Sequence, residues 1–491
     1  MTSYIILACV LVYSALLLFI TWLTSRNATN ETYFVGNKSS RWYVVAYGMI
    51  GASLSGVTFI SVPGAVGASQ FGYLQVVLGY LLGYAVIAGI LLPLYYRMNL
   101  TSIYSYLKER FGVYSYRTGS FFFILSRVIG ASFRLYIVVN VLQTFVFDAW
   151  GIPFWITVSV FILLILLYTY EGGVKTIVWT DTLQTTFMLL SVILSVIFIA
   201  RDLHLSVGQL VDSVVNGPYS KVIFTDWKAK TFVGKQFFGG MFIAIAMTGL
   251  DQEMMQKNIS CRNVKEARKN VITFSLVLVA INILFLSLGV LLYRYAEAKG
   301  LVIPGKSDNL FPTIALNYLG PFSLIFFIIG LISAAYPSAD GALTALTTSF
   351  CIDILGLKDK GLSEKQMKRT RYMVHVGFAF LLLLVIVIFR VINDEAVVNK
   401  LFSVAGYTYG PLLGLYTFGL FSKRRVKDRL VPFVCFLSPV LCYILDTHSV
   451  QWFNGYKFGF EILILNGLIT YISLSLIRVS NRAVLITEAV H

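Results

Sequence analysis

An apolar run at residues 43–69 is interrupted by a stretch of small residues, Gly48-Met49-Ile50-Gly51-Ala52-Ser53-Leu54-Ser55-Gly56. A second glycine-bearing stretch, from Gly239-Gly240 to Gly249, lies in a later apolar run at 236–256. Broken helices in corresponding positions of two halves are typical of secondary transporters built from inverted repeats, because unwound backbone can coordinate ions or substrate at the middle of the membrane. The alternative interpretation of these glycines is close helix packing.

The composition predicts an all-α integral membrane protein. The 491 residues are 57% hydrophobic and 13% charged, and their mean hydropathy is +0.78, whereas soluble domains carry roughly 25% charged residues. A helix that spans a bilayer needs about 20 apolar residues, which predicts about thirteen transmembrane helices here. The apolar runs lie near 4–24, 43–69, 73–96, 118–147, 153–170, 176–200, 236–256, 270–294, 321–350, 372–391, 399–421, 430–446 and 459–478.

The net charge of +16 does not indicate a nucleic-acid partner, because the basic residues form short clusters between apolar runs. The positive-inside rule places the clusters at 257–269, 358–371 and 423–429 in cytoplasmic loops,. The amino terminus is then outside and the carboxyl terminus in the cytoplasm. We expect a multi-pass protein of the plasma membrane, which in a bacterium is the inner membrane. Its partners would be the lipid bilayer and a small-molecule solute, and no obligate protein partner is evident.

No constellation of nucleophiles, bases or metal ligands is apparent in the sequence. The five cysteines show no Cys-x-x-Cys spacing, and the four histidines are scattered,. We therefore expect a transporter and not an enzyme.

Two arginines lie inside one apolar run. Arg127 and Arg134 are seven residues apart, so two helical turns place them on roughly one face. Two inward guanidinium groups could clamp a carboxylate. The alternative is that they snorkel to headgroups or pair with an internal carboxylate.

Two aspartates and a proline also interrupt apolar runs, namely Asp181, Asp340 and Pro337. Proline cannot donate an intrahelical hydrogen bond and frees a carbonyl one turn back. Hydroxyl, carbonyl and carboxylate oxygens suit hard cations such as Na+, so Ser338 and Asp340 next to this proline favour a cation site. A kink without any ligand is the alternative.

Taken together, four segments resemble the sodium:solute symporter family, whose members include sodium/proline, sodium/galactose and sodium/sialic acid transporters. The resemblance covers nearly the whole chain. The segments are Gly51 to Gly64, Tyr170-Glu171-Gly172-Gly173 with Trp179-Thr180-Asp181, Asp251-Gln252 to Ala267, and Ala334-Ala335 to Asp353.

The resemblance implies a leucine-transporter-type fold of two inverted five-helix repeats with one leading and two trailing helices. The leading helix and a cytoplasmic loop would take residues 1–42. The core would take 43–421, with repeats at 43–200 and 236–421. The trailing helices and a short cytoplasmic tail would take 422–491.

The resemblance also implies a conserved Na+ site formed by the carbonyl groups of Gly51, Leu54 and Ala334 and by the positions of Pro337 and Ser338. The first of the last two positions is usually serine in the family, so this chain loses one hydroxyl ligand. Some relatives bind a second Na+, and its site would fall on Asp181, Asp340 and Gly341 together with position 337. Two carboxylates near one site leave proton participation open.

For the substrate, the resemblance favours an organic anion. Positions that bind sugar in the galactose transporters fall on Ala244 and Met247, which offer no side-chain hydrogen bonds, whereas Arg127 aligns approximately with an arginine that binds the carboxylate in sialic acid transporters. The substrate-binding residues would be Arg127, Arg134, Gln75, Ser55, Thr58, Ser403 and Tyr407.

We therefore expect a sodium-coupled symporter that imports a small carboxylate, such as sialic acid, by alternating access. A sodium- or proton-coupled symporter for an amino acid, a sugar or a vitamin is the alternative. An ion channel and a membrane sensor that does not transport are alternatives from other functional classes.

Overall fold

The structure is a computed structural model that describes residues 2–24, 40–169, 173–392 and 397–479. Within these residues the only β-type contacts are two isolated bridges, and everything else that is regular is helical. The segments 25–39, 170–172 and 480–491, which contain the first loop, part of one family-like segment and the predicted tail, lie outside the described residues. The helices are α1 (Thr2–Thr24), α2 (Trp42–Ser53), α3 (Gly56–Ser69), α4 (Tyr73–Arg97), α5 (Ser105–Arg110), α6 (Val113–Trp150), α7 (Phe154–Thr169), α8 (Gly173–Asp202), α9 (Val207–Val215), α10 (Val233–Gly249), α11 (Gln252–Ile259), α12 (Val264–Ala298), α13 (Leu310–Asn317), α14 (Gly320–Ile354), α15 (Glu364–Ile392), α16 (Val397–Phe421), α17 (Asp428–Thr447), α18 (Ser449–Trp452) and α19 (Ile462–Leu476).

Eight of these helices are long and apolar enough to cross a membrane: α1, α4, α6, α8, α12, α14, α15 and α17. Two bent pairs meet the same test as units, α2 with α3 and α10 with α11. The shorter apolar helices α7 and α19, and the 25-residue helix α16, occupy the remaining predicted runs. Every predicted run thus contains a helix or a bent pair, and the all-helical membrane class is confirmed. The number of helices that cross the bilayer stays a prediction.

The first bent pair turns by 57° between Ser53 and Gly56. Leu54 and Ser55 leave the helical conformation, with ψ angles of 90° and 179°. A helix end leaves the carbonyl groups of its last turn without intrahelical donors. Close packing also applies here, because a Cβ added to Gly51 would lie 3.3 Å from the carbonyl oxygen of Asp181 on α8. This glycine-rich stretch therefore contains both a helix break and a close helix–helix contact.

The second bent pair turns by 65°, and side chains of the protein form hydrogen bonds with backbone groups at this break. The side chain of Asp251 caps α11 by accepting hydrogen bonds from the backbone N–H groups of Glu253 and Met254, at 3.0 and 3.2 Å. The hydroxyl groups of Tyr95 and Tyr104 donate to the carbonyl groups of Gly249 and Leu250 at the break, at 2.8 and 2.9 Å. The second break is thus a bend that the protein's own side chains cap and bond.

Candidate functional site

A central cavity of about 710 Å³ lies beside the first break. It is bounded by α2 and α3 on one side and by α4, α6, α10, α12 and α16 on the others. Four of the predicted substrate residues line it, namely Ser55, Thr58, Arg127 and Arg134. Because α6 is one continuous helix at this level, the two arginines reach the cavity from positions two turns apart on the same face, as their spacing predicts.

The guanidinium group of Arg127 is already neutralised by the protein. It forms an ion pair with the carboxylate of Glu253, and its Nη1 lies 3.8 Å from Oδ2 of Asp251. The hydroxyl of Tyr409 donates to the same Asp251 oxygen at 2.7 Å. Pairing with an internal carboxylate, the alternative to a substrate contact, is therefore the arrangement found at Arg127.

Arg134 is different. Its side chain is 9% exposed and lines both the central cavity and a smaller one next to it. Among the residues that the structure describes, no carboxylate lies within ion-pairing distance of Arg134, and its Nε has no hydrogen-bond partner. A buried charge without a partner is costly. An anionic ligand in the cavity would remove that cost.

The three other predicted substrate residues lie in a separate, outer cavity of about 1620 Å³: Gln75, Ser403 and Tyr407. The Gln75 amide donates to the carbonyl groups of Gly72 and Thr231, at 3.1 and 3.3 Å. The Tyr407 hydroxyl donates to Asp446 at 2.5 Å. The structure therefore does not bring these residues together with the arginines.

Aromatic rings separate the two cavities. The ring of Tyr73, which borders both cavities, stacks on Phe402 with ring centroids 6.4 Å apart. Phe402 packs in turn against Phe460 at 5.0 Å. This group of three rings therefore lies between the two cavities.

The candidate Na+ site lies where α2 ends against α14. All five of its predicted residues are fully or largely buried: Gly51, Leu54, Ala334, Pro337 and Ser338. The hydroxyl oxygen of Ser338 has no hydrogen-bond partner among the described residues. Buried hydroxyl groups are normally hydrogen-bonded, so this orphaned oxygen is a suitable ligand for a hard cation such as Na+.

The predicted second cation site contains partners that the sequence analysis did not assign to it. Asp340 accepts hydrogen bonds from the Tyr168 hydroxyl at 2.9 Å and from the backbone N–H of Gly341 at 2.5 Å. Asp181 accepts a hydrogen bond from the ammonium group of Lys257 at 2.7 Å. The two carboxylates therefore have separate partners.

Lys257 corrects one prediction. The charge pattern assigned it to a cytoplasmic basic cluster, but its side chain is 3% exposed and contacts Asp181 and Glu253. The physical reason is the second bend: it turns α11 back into the protein, where the helix packs against α2 and α14. The 35-residue helix α12 only begins afterwards, at Val264.

Several site residues escaped the sequence analysis. Asn282 lines the central cavity, and it was detectable as a single amide within the apolar part of α12. Glu253 and Lys257 have the i, i+4 spacing of a helical ion pair,. Three tyrosines also line the cavity wall, namely Tyr73, Tyr80 and Tyr84. Their positions in the sequence did not indicate a site, because tyrosine is common throughout this chain.

Comparisons with known proteins identify a family model and several similar transporters. A model described as the sodium:solute symporter family matches residues 33–428. The sodium/sialic acid symporter of Proteus mirabilis (strain HI4320) is 25% identical over 84% of this chain and 83% of its own length. Sodium-coupled monocarboxylate transporter 1 of Mus musculus is 25% identical over 85% of this chain and 69% of its own length.

A solved structure gives the fold. It is a substrate-bound, outward-open Na+-coupled sialic acid symporter that superposes with a TM-score of 0.82. Sequence identity is 21%, and the superposition covers 97% of this chain and 98% of the other. The chain therefore has the leucine-transporter-type fold that its sequence pattern implies.

Proposed function

The chain belongs to the sodium:solute symporter family, and from this membership and the geometry of its central cavity we propose that it imports a small organic anion together with Na+ by alternating access. The observation that carries the choice of an anion is the unpaired, buried guanidinium group of Arg134 at the cavity wall. A planar guanidinium binds a carboxylate through two parallel hydrogen bonds.

The wall of the cavity favours a hydroxylated acid such as sialic acid over a simple monocarboxylate. Several hydroxyl and amide groups line the same cavity as Arg134, and each one can hydrogen-bond a polyol or an acetamido group. They belong to Ser55, Thr58, Tyr73, Tyr80, Tyr84, Thr248 and Asn282. Ala244 and Met247 line the cavity without such groups, which disfavours a hexose bound as in the galactose transporters.

The proposed Na+ site lies at the first break. The five buried positions at α2 and α14 would hold Na+, and a bound Na+ would tie the broken α2–α3 pair to α14. A ligand shifts a conformational equilibrium only by its differential affinity for the two states. We propose that Na+ stabilises the form whose cavity accepts the anion, so that the sodium gradient drives uptake.

Topology and repeat structure are part of the same proposal. The repeats at 43–200 and 236–421 each begin with one of the two bent pairs. The amino terminus would lie outside and the carboxyl terminus in the cytoplasm of a bacterial inner membrane. The outer cavity would then face the exterior, because Lys230 and Thr231 of the long connection before α10 line it.

A ligand screen by thermal shift tests the choice of solute. Purified protein is heated with sialic acid, lactate, amino acids or sugars, in NaCl and in KCl. We expect sialic acid to raise the melting temperature in NaCl and its uncharged methyl ester to have no effect, because only the acid neutralises Arg134. Equal stabilisation by acid and ester would contradict the anion assignment.

Replacing Pro337 by serine is expected to strengthen sodium binding, because it supplies the hydroxyl that most of the family carries at this position. A hydrogen-bond-like contact of about 1 kcal/mol predicts a roughly fivefold lower sodium concentration for half-maximal uptake. Pro337→Ala is the matched control: it also restores the backbone N–H, but it adds no hydroxyl. If alanine lowers the sodium requirement as much as serine, the effect comes from the removal of proline and not from a new ligand.

A further inference from the structure

We propose that the ammonium group of Lys257 permanently fills the second cation position, so that the protein binds a single Na+ in each transport cycle. This inference rests on the proposed sodium-coupled function and specifies its ion stoichiometry. The position predicted for a second Na+ would then be occupied by a positively charged side chain of the protein itself.

The first step of the argument is the geometry around the amine. Nζ of Lys257 lies 2.7 Å from Oδ2 of Asp181 and 3.2 Å from Oε1 of Glu253. None of the three side chains is more than 3% exposed. Asp181 is the carboxylate that the family resemblance assigns to a second Na+, and here it already has a buried, charged partner at hydrogen-bonding distance.

The second step is the position of the amine relative to the Na+ site. A Cβ added to Gly48 would lie 3.3 Å from Cβ of Asp181, so this aspartate packs directly on α2, between one and two turns before the first break,. A Cβ added to Gly341 would overlap Oε1 of Glu253. Gly341 follows Ser338 by about one helical turn. The ammonium group thus lies between the same helices that form the proposed Na+ site.

The third step is charge balance. Glu253 contacts Lys257 with one carboxylate oxygen and Arg127 with the other, and Arg127 also lies near Asp251. Acidic and basic groups therefore alternate from α8 to the wall of the central cavity. A mobile Na+ at Asp181 would lie beside a buried ammonium group, and like charges at such separations repel strongly in a low-dielectric interior.

The tether also gives the amine an entropic advantage over a free ion. Lys257 is held next to Asp181 by its own helix, so it occupies the position without a bimolecular binding step. Filling the position costs no translational entropy in each cycle, whereas a second Na+ would pay this cost at each binding event.

The test counts the sodium ions bound by the purified full-length chain in detergent, by saturation binding of radioactive Na+ without solute. We expect one ion per chain for the wild type and at least tenfold weaker binding for Ser338→Ala. Two ions for the wild type, or one tightly bound ion remaining in Ser338→Ala, would overturn the inference. No bound sodium in the wild type would instead contradict the proposed sodium coupling itself.

Lys257→Met supplies the second measurement, with gel filtration to verify its fold. Removal of the amine leaves the carboxylates of Asp181 and Glu253 available, and we expect the count to rise to two. Lys235→Met is the matched control, because Lys235 is also buried but pairs with Glu461, away from this site; its count should remain one. A folded Lys257→Met protein that still binds one ion would show that the amine does not occupy a sodium-competent position. The wild-type count decides the matter if this variant does not fold.

Discussion

Arg134→Gln is expected to raise the sialic acid concentration for half-maximal uptake by about 100-fold. The substitution removes the one guanidinium group of the central cavity that has no acidic partner among the described residues. Loss of one partner of a buried, hydrogen-bonded charge pair costs about 3 kcal/mol, and 1.4 kcal/mol corresponds to a factor of ten. The sialic acid concentration for half-maximal uptake is measured with radiolabelled sialic acid at saturating sodium.

Two variants separate this effect from general damage. Arg134→Lys keeps the positive charge but loses the two-pronged geometry, so we expect an intermediate loss of about tenfold. Arg262→Gln removes an exposed arginine at the end of α11 and should leave uptake unchanged. Uptake by Arg134→Gln within a factor of two of the wild type would remove Arg134 from the substrate site.

Ser338→Ala is expected to raise the sodium concentration for half-maximal uptake by at least tenfold. The Ser338 oxygen is the only side-chain hydroxyl among the five positions of the candidate Na+ site, since proline replaces the other serine. Loss of a ligand from so small a set costs about 2 kcal/mol, by analogy with hydrogen bonds to charged groups. Sodium titration of uptake and of thermal stability both report on it.

The control lies on the same helix. Ser323 is also buried with an unpartnered hydroxyl, but it precedes Ser338 by roughly 22 Å of helix. Ser323→Ala should therefore leave the sodium requirement at the wild-type value. An unchanged sodium requirement in Ser338→Ala would refute the assigned site, and an equal change in both variants would indicate a general effect on α14.

The features that sequence predicted best are those that depend on local chemistry. The break at Leu54 and Ser55 follows from small residues in an apolar run, and the shared face of Arg127 and Arg134 follows from helix geometry alone. Every apolar run found by hydropathy contains a helix or a bent pair, because each apolar run has to satisfy its backbone internally to enter a bilayer.

Other features depend on contacts between distant segments, and sequence could not supply them. Nothing in the spacing of Arg127 and Arg134 reveals that Glu253 neutralises the first arginine and leaves the second unpaired. Lys257 belongs to a basic cluster that indicated a loop. It is buried because the bend at Asp251 returns its short helix to the interior. Gln75 looked like a pocket residue, but its amide bonds to Thr231 in the outer cavity.

The two bent helix pairs illustrate the same division between local and tertiary information. Both are visible in the sequence as glycine-rich interruptions, and they look equivalent there. In the structure the second break is bonded to Tyr95, Tyr104 and Asp251, whereas Leu54 and Ser55 of the first break line the central cavity. Only tertiary contacts distinguish a structural break from one that can bind an ion.

Uptake into proteoliposomes tests the central claim most directly. Purified protein is reconstituted with KCl inside, and radiolabelled sialic acid and pyruvate are supplied outside in NaCl or in KCl. The account predicts that at least one of these anions accumulates above its external concentration in NaCl only, and that the sodium ionophore monensin abolishes this accumulation. Accumulation that is equal in NaCl and KCl, or no uptake of either anion, would contradict it.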